Sequence, residues 1–197
     1  MGDKIQTVPY DNTAFDSNNG QTTSPQDLSC SSSSPCCWKN AQPPYSTVDW
    51  VRGSGKIDAK KFKKNFGTTE QPAGDNFLIA SMDKGSEDSN KAELQSCLIK
   101  CSSGNVQVSL KHWTKGTKIR VCQVAQSNPT QLMACQDLPD SGPGPDTVDL
   151  PPADNVYIVV DAYNFADKTN NVAIVQDLTA SYTPCQSRHL NRKSTIA

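Results

Sequence analysis

Residues 105–113, NVQVSLKHW, put Val106, Val108 and Leu110 on one side of an extended chain and Gln107, Ser109 and Lys111 on the other. A period of two with one apolar side describes a strand that buries one face and wets the other. The next stretch, TKIRVCQVA (117–125), repeats the pattern, with Ile119 and Val121 opposed by Lys118, Arg120 and Cys122. Lys115 and Gly116 supply turn chemistry between the two, which predicts a hairpin. Working outward, NFLIASMD (76–83), AELQSCLIK (92–100), NVYIVVDAYNF (155–165) and NVAIVQDLTASY (171–182) read as further strands, bringing the expected number to at least six. In the last of these Val172, Ile174, Leu178 and Ala180 are expected on one side. The loop LPDSGPGPDTVDLPP (138–152) suits a connection between sheets, because proline cannot donate to a central ladder. No long segment carries a helical period and no repeat is apparent. The sum is an antiparallel all-β sandwich.

At 197 residues the chain suffices for one domain with a sizeable core. Residues 1–29 are poor in apolar side chains and rich in Asn, Gln, Ser, Thr and Asp, and are expected as a disordered polar tail or linker. QSRHLNRKSTIA (186–197) is expected to be a second tail, leaving 30–185 as the domain. The formal net charge of −1 offers no global attraction to nucleic acid or to an anionic membrane. No apolar run approaches the roughly 20 residues of a membrane helix, so no membrane insertion by this segment is expected.

Eight cysteines form an even set: Cys30, Cys36, Cys37, Cys97, Cys101, Cys122, Cys135 and Cys185. An oxidising compartment would join them into four disulfides in one of roughly 105 connectivities, and would imply a leader peptide that this sequence does not contain. No acceptor for N-glycosylation accompanies them, since Asn128-Pro129-Thr130 has proline at the forbidden position. A metal reading has little to build on. There is no Cys-x-x-Cys pair, and the two histidines, His112 and His189, lie far apart in sequence.

The stretch CCWKNAQPPYSTVDWVRGSG (36–55) resembles the Cys-Gly-Trp, Asp-Trp, Arg-Gly-Ser-Gly signature of MAM domains, with Cys37 in the glycine's place. DNFLIASM (75–82) is similar to that family's Tyr-Leu-Ala-Ser strand, and NNVAIVQDLTASYTPC (170–185) to its closing strand. The resemblance spans 30–185, and HWTKGTKIRVC (112–122) with the GPGP loop (142–145) is most like the divergent MAM-like domains of nematode extracellular proteins. It implies a jelly-roll topology and a secreted or ectodomain setting. It also implies non-catalytic recognition and adhesion: contact with extracellular proteins or a neighbouring module of the same chain, including homophilic contact. Ser31–Ser34 replace an acidic run that some members use near a cation, leaving Asp49 and Asp177 as matching acids, too few for the six to eight oxygens of Ca²⁺. A carbohydrate-binding jelly roll, perhaps with Ca²⁺, is the alternative.

Adjacent cysteines rarely bond one another, so two bridges should diverge from Cys36 and Cys37. The expected pairs are Cys30 with Cys36, Cys37 with Cys185, Cys97 with Cys101, and Cys122 with Cys135. No catalytic, cofactor-binding or metal residues are expected. His112 shares the apolar face of its strand and reads as a satisfied core residue, and no Gly-x-Ser-x-Gly elbow or phosphate loop is present. KIDAKKFKKNF (56–66) holds Lys56, Lys60, Lys61, Lys63 and Lys64. It reads either as a polyanion site or as a solvated loop anchored by Phe62 and Phe66, the latter favoured. Trp38 and Trp50 are expected inside, beside the cysteines; exposed indoles would instead suit stacked sugars.

Overall fold

A strand's backbone groups need a partner on at least one side, so pairing decides what an alternating sequence builds. The computed structural model of the chain describes residues 5–30, 36–83, 90–140, 142–167 and 169–186. Within them run β1 (Gln6–Pro9), helix α1 (Thr13–Ser17), a 3-10 turn (Pro25–Leu28), β2 (Trp38–Asn40), β3 (Val51–Ser54), helix α2 (Ala59–Phe66), β4 (Phe77–Met82), β5 (Lys91–Ser96), β6 (Ile99–Cys101), β7 (Val106–Lys115), β8 (Lys118–Ala125), β9 (Leu132–Asp137), β10 (Asp146–Leu150), β11 (Asp154–Tyr163) and β12 (Asn171–Ser181). The first sheet has the order β1-β3-β4-β12-β7-β10, and the second β2-β5-β11-β8-β9 with β6 also on β11.

The antiparallel pairs β8–β9, β7–β10, β5–β11 and β4–β12 are nested in sequence, so this part of the chain is one long hairpin rolled across two sheets. That winding is the jelly roll. Between the sheets lie Val106, Val108 and Leu110 of β7, Ile119 and Val121 of β8, and Val156, Ile158 and Val160 of β11, all buried. Gly53 is buried in β3, where a side chain would collide with the Phe77 ring, 2.5 Å from where its Cβ would stand.

Several expectations change. β7 and β8 do not form a hairpin: the turn at Gly116 carries the chain from the first sheet to the second. In β12 a bulge at Asp177, whose φ is 55°, shifts the alternation between Gln176 and Thr179. Leu178 and Ala180 therefore face the core, while Val172 and Ile174 face outward into a second apolar cluster. Residues 138–145 do join the sheets, but 146–150 of that proline-rich loop form the edge strand β10.

The N-terminal stretch is not a tail over residues 5–29. β1 extends the first sheet along β3, Phe15 and Leu28 are buried in the main core, and Asp27 closes a capping box with Ser24. Two apolar anchors and local polar caps order a segment whose composition is otherwise hydrophilic. The expected tail at 186–197 falls outside the described residues from 187 onward.

The disulfides are Cys30–Cys36, Cys37–Cys97, Cys101–Cys185 and Cys122–Cys135. Bridges do diverge from the adjacent pair, but Cys37–Cys185 and Cys97–Cys101 are replaced. Strand register is the reason. Trp38 pairs with Ser96, so Cys37 stands opposite Cys97, whose N–H donates to the Cys37 carbonyl at 2.7 Å. Ser102 bridges Pro184, which brings Cys101 to Cys185. The four residue steps of extended chain from Cys97 to Cys101 span about 13 Å, beyond the reach of a disulfide.

Candidate functional site

A sandwich offers two outer faces, and here they have different fates. On the first sheet the outward side chains Phe77, Ile79, Trp113 and Ile174 are apolar and buried. Helix α2 covers them. Asp58 caps its N-terminus, accepting from the Lys60 and Lys61 N–H groups at 2.9 and 3.0 Å, and Gly67 ends it with φ 72°. Phe62 and Phe66, one turn apart, point down, and Phe62 meets the Trp113 ring edge-on at 6.1 Å. The segment after the helix completes the cover: Trp113 Nε1 donates to the Glu70 carbonyl at 2.8 Å, and Gln176 exchanges two hydrogen bonds with the Ala73 backbone. The expected lysine loop is thus a helix, with the phenylalanines in the anchoring role assigned to them.

On the second sheet one end of the outward face is charged, while Val159, Val124 and the Cys122–Cys135 bridge occupy further outward positions on β11 and β8. Leu94, Val160, Ile119 and Leu138 turn inward, so their neighbours Glu93, Asp161, Arg120 and Asp137 turn outward. Register places these four directly opposite one another on β5, β11, β8 and β9. Lys91, Tyr163 and Lys118 form the adjacent row. Arg120 Nε donates to Asp161 Oδ2 at 2.8 Å, and the guanidinium lies 4.3 Å from the centre of the Tyr163 ring. Tyr163 donates its phenolic hydrogen to Asp137 Oδ1 at 2.7 Å, and Lys91 pairs with Glu93. Along the β5 edge Ser46 closes the row, accepting from the Glu93 N–H at 3.1 Å.

Although they face outward, Glu93 is only 5 % exposed and Asp161 is fully buried. Asp161 Oδ1 has no hydrogen-bond partner among the described residues. Burial raises both carboxyls above their ordinary range, and Asp161 raises Glu93 further, while Arg120 and Lys91 pull the other way. Loss of hydration, then the bond to Asp137, push the Tyr163 hydroxyl up to about 12. The face therefore presents the Arg120 fork donor, the Tyr163 ring and the exposed Asp137 carboxylate, held in a preset pattern by the buried Asp161 and Glu93 beneath them.

Other sequence-marked residues sit elsewhere. His112 is fully buried at one end of the core, with Nε2 2.8 Å from the Pro139 carbonyl and Nδ1 3.2 Å from Asp146 Oδ2, outside hydrogen-bond geometry. His189 lies outside the described residues, as do Ser31–Ser34. All three indoles are buried, and each donates to a carbonyl, Trp38 to Leu28 and Trp50 to Ala92. Asp49 is exposed, and Asp177 pairs with Lys111 at 3.5 Å. Neither joins a group of three metal-ligand side chains; among the described residues the one such group is Cys101, Asp154 and Cys185, whose sulfurs are bonded to each other.

Sequence reasoning singled out none of the charged row. Its signal was present in YIVVDAY (157–163), where an aspartate interrupts the outward positions of a strand otherwise apolar on both faces.

No family model matches the chain, and no curated protein matches it in sequence. Among solved structures it is similar to TmCBM61 in complex with beta-1,4-galactotriose, at 12 % identity and TM-score 0.38 over 74 % of this chain and 88 % of that one. An arabinose-bound α-L-arabinofuranosidase, MgGH51, aligns at 12 % identity and TM-score 0.46 over 91 % of this chain and 27 % of its own. The enzymatically active domain of bacteriophage CBA120 tailspike protein 4 aligns at 13 % identity and TM-score 0.45, over 81 % and 22 %. None of the three reaches a TM-score of 0.5, and the jelly-roll assignment rests on strand order and pairing alone.

Proposed function

We propose that the chain is a non-catalytic extracellular recognition module, MAM-like in type, that docks a protein surface through the outer face of its second sheet. The supporting observation is the charged row itself. Arg120 holds Asp161, Lys91 holds Glu93 and Tyr163 holds Asp137 in fixed positions on the face opposite the one that α2 covers. Prearranged charges of both signs favour a complementary partner and penalise a mismatched one. Four disulfides fit an oxidising setting, and a secreted chain or ectodomain is the natural carrier. Glu93 and Asp161 stand on adjacent strands, as an acid–base pair would, but each is already engaged by a cation of the same face, which favours recognition over chemistry.

The first partner to test is a second copy. Sedimentation velocity across a concentration series should show self-association that weakens in Gln95→Arg, a half-buried outward position on β5 that is a member of neither the Lys91–Glu93 nor the Arg120–Asp161 pair. A monomer at every concentration, with no binding to a neighbouring module supplied in trans, counts against the proposal. A carbohydrate ligand is the second reading, favoured by the Tyr163 ring and the half-buried Tyr157 beside fixed carboxylates on one face. Binding on a glycan array, abolished by Gln95→Arg and compared with and without chelator, would replace the first reading with the second.

A further inference from the structure

The lysine helix lies on the opposite side of the sandwich from the proposed docking face, and what it offers is independent of that reading. α2 has only two kinds of surface: Phe62 and Phe66 below, and lysine over nearly everything else. Lys56, Lys60, Lys61, Lys63 and Lys64 are all exposed. Lys60 has Lys63 and Lys64 at i+3 and i+4, a like-charge arrangement that works against the helix carrying it. The Asp58 carboxylate is engaged with backbone N–H groups at the cap. Among the described residues no carboxylate comes within ion-pair distance of Lys56, Lys60, Lys63 or Lys64. Lys115 of β7 continues the positive surface beside the helix, its Nζ donating to Asn65 Oδ1 at 3.0 Å.

We infer that this face of α2 is a binding site for a sulfated polysaccharide. The helix is capped at both ends and anchored through Phe62 to Trp113, so its ammonium groups project from a fixed frame about one turn, ~5.4 Å, apart. Only side-chain freedom is lost when a polyanion settles on it. Ammonium groups act as point charges without the planar fork that arginine brings, which suits tetrahedral sulfates along a flexible chain. Phe62 is buried and Phe66 half-buried against the sheet, leaving no fully exposed ring on which unpaired bases could stack, and the helix presents no large exposed apolar side chain to insert into a bilayer. Nucleic acid and membrane are therefore the less fitting polyanions. The chain as a whole is near neutral, so the attraction is local.

The test is retention of the full chain on immobilised heparin as salt is raised, with single-stranded DNA and phosphatidylserine vesicles run in parallel. Lys60→Gln/Lys64→Gln is compared with Lys39→Gln/Lys100→Gln, which removes the same charge from β2 and β6 of the second sheet. The parent should be retained at low salt. The α2 double should elute at clearly lower salt, with the slope of log affinity against log salt reduced by about two, while the control double elutes with the parent. Matching melting temperatures of the two doubles would keep unfolding from mimicking the effect. The inference is overturned if the parent is not retained, if the two doubles lose retention equally, or if DNA or vesicles bind more tightly than heparin through the same lysines.

Discussion

The two outer faces of this sandwich are built from the same kind of strand, yet one is sealed and the other is left as a charged lattice. On the first sheet the outward positions of β4, β7 and β12 are Ile79, Trp113 and Ile174, which water penalises, and a lysine-rich helix with two phenylalanines is folded over them. On the second sheet Glu93, Asp161 and Arg120 stand at such outward positions, Arg120 paired laterally with Asp161 and Glu93 with Lys91. The contrast shows that what an outer face does is set by the side chains alternate to the core, the apolar cluster of the first sheet being the one that α2 seals.

Breaking the apolar face should have the largest effect. Trp113→Ala removes the anchor of α2 and should cost about 3–5 kcal/mol in urea unfolding, while exposing Phe62 and Phe66 to solvent. If the loss is below about 1 kcal/mol, α2 is not held by this cluster. Next is Arg120→Ala, which strips Asp161 and the Tyr163 ring of their shared partner and leaves a buried carboxylate alone. A loss of about 2–3 kcal/mol is expected, less than for a fully buried pair because part of the guanidinium is wet.

A third change sharpens the comparison through pH. Glu93 and Asp161 have carboxyls raised by burial, so the folded chain holds these protons more tightly than the unfolded one. Their contribution to stability is fully present below the unfolded carboxylate value of about 4 and is lost as pH rises through the raised folded values. Asp11, Asp27 and Asp58, lowered by hydrogen bonds, act in the opposite sense, their contribution falling away as pH drops. Asp161→Asn should therefore gain on the parent as pH is raised above about 4, with a change at neutral pH within about 1 kcal/mol. Parallel melting curves at every pH would show that Asp161 carries no raised proton affinity. The smallest effect belongs to Lys60→Gln/Lys64→Gln, which relieves like-charge crowding on α2 and should alter stability by no more than about 0.5 kcal/mol. Calorimetry would register a larger loss if those lysines were structural.

Much of the scaffold was legible in the chain. The alternation in 105–113 and 117–125 assigned inward and outward residues correctly for β7 and β8, because period two follows from backbone geometry alone. Connectivity was less so. Gly116 marks a turn, but nothing in TKGTK says whether the strand after it stays in the sheet or crosses to the other. The bulge at Asp177 reversed the faces of Val172 and Ile174 against Leu178 and Ala180, and one inserted residue leaves no composition signature. α2 did announce itself, through a capping aspartate, phenylalanines four apart and a closing glycine, in a stretch weighed for its charge instead. The charged row was half legible. The alternation of 117–125 turns Arg120 outward, but its meeting with Asp161 depends on cross-strand register, which is set by long-range pairing. The same register set two of the four disulfides that sequence reasoning misplaced.

The arrangement of the two faces depends on that register, and the disulfides record it covalently. Tryptic digestion without reduction separates the alternatives, since cleavage after lysine and arginine puts Cys30, Cys36 and Cys37 in peptide 5–39, Cys97 in 92–100, Cys101 in 101–111 and Cys185 in 169–188. The account predicts that 5–39 is joined to 92–100 and 101–111 to 169–188. Finding 5–39 joined to 169–188, or these peptides released with free thiols, would contradict it.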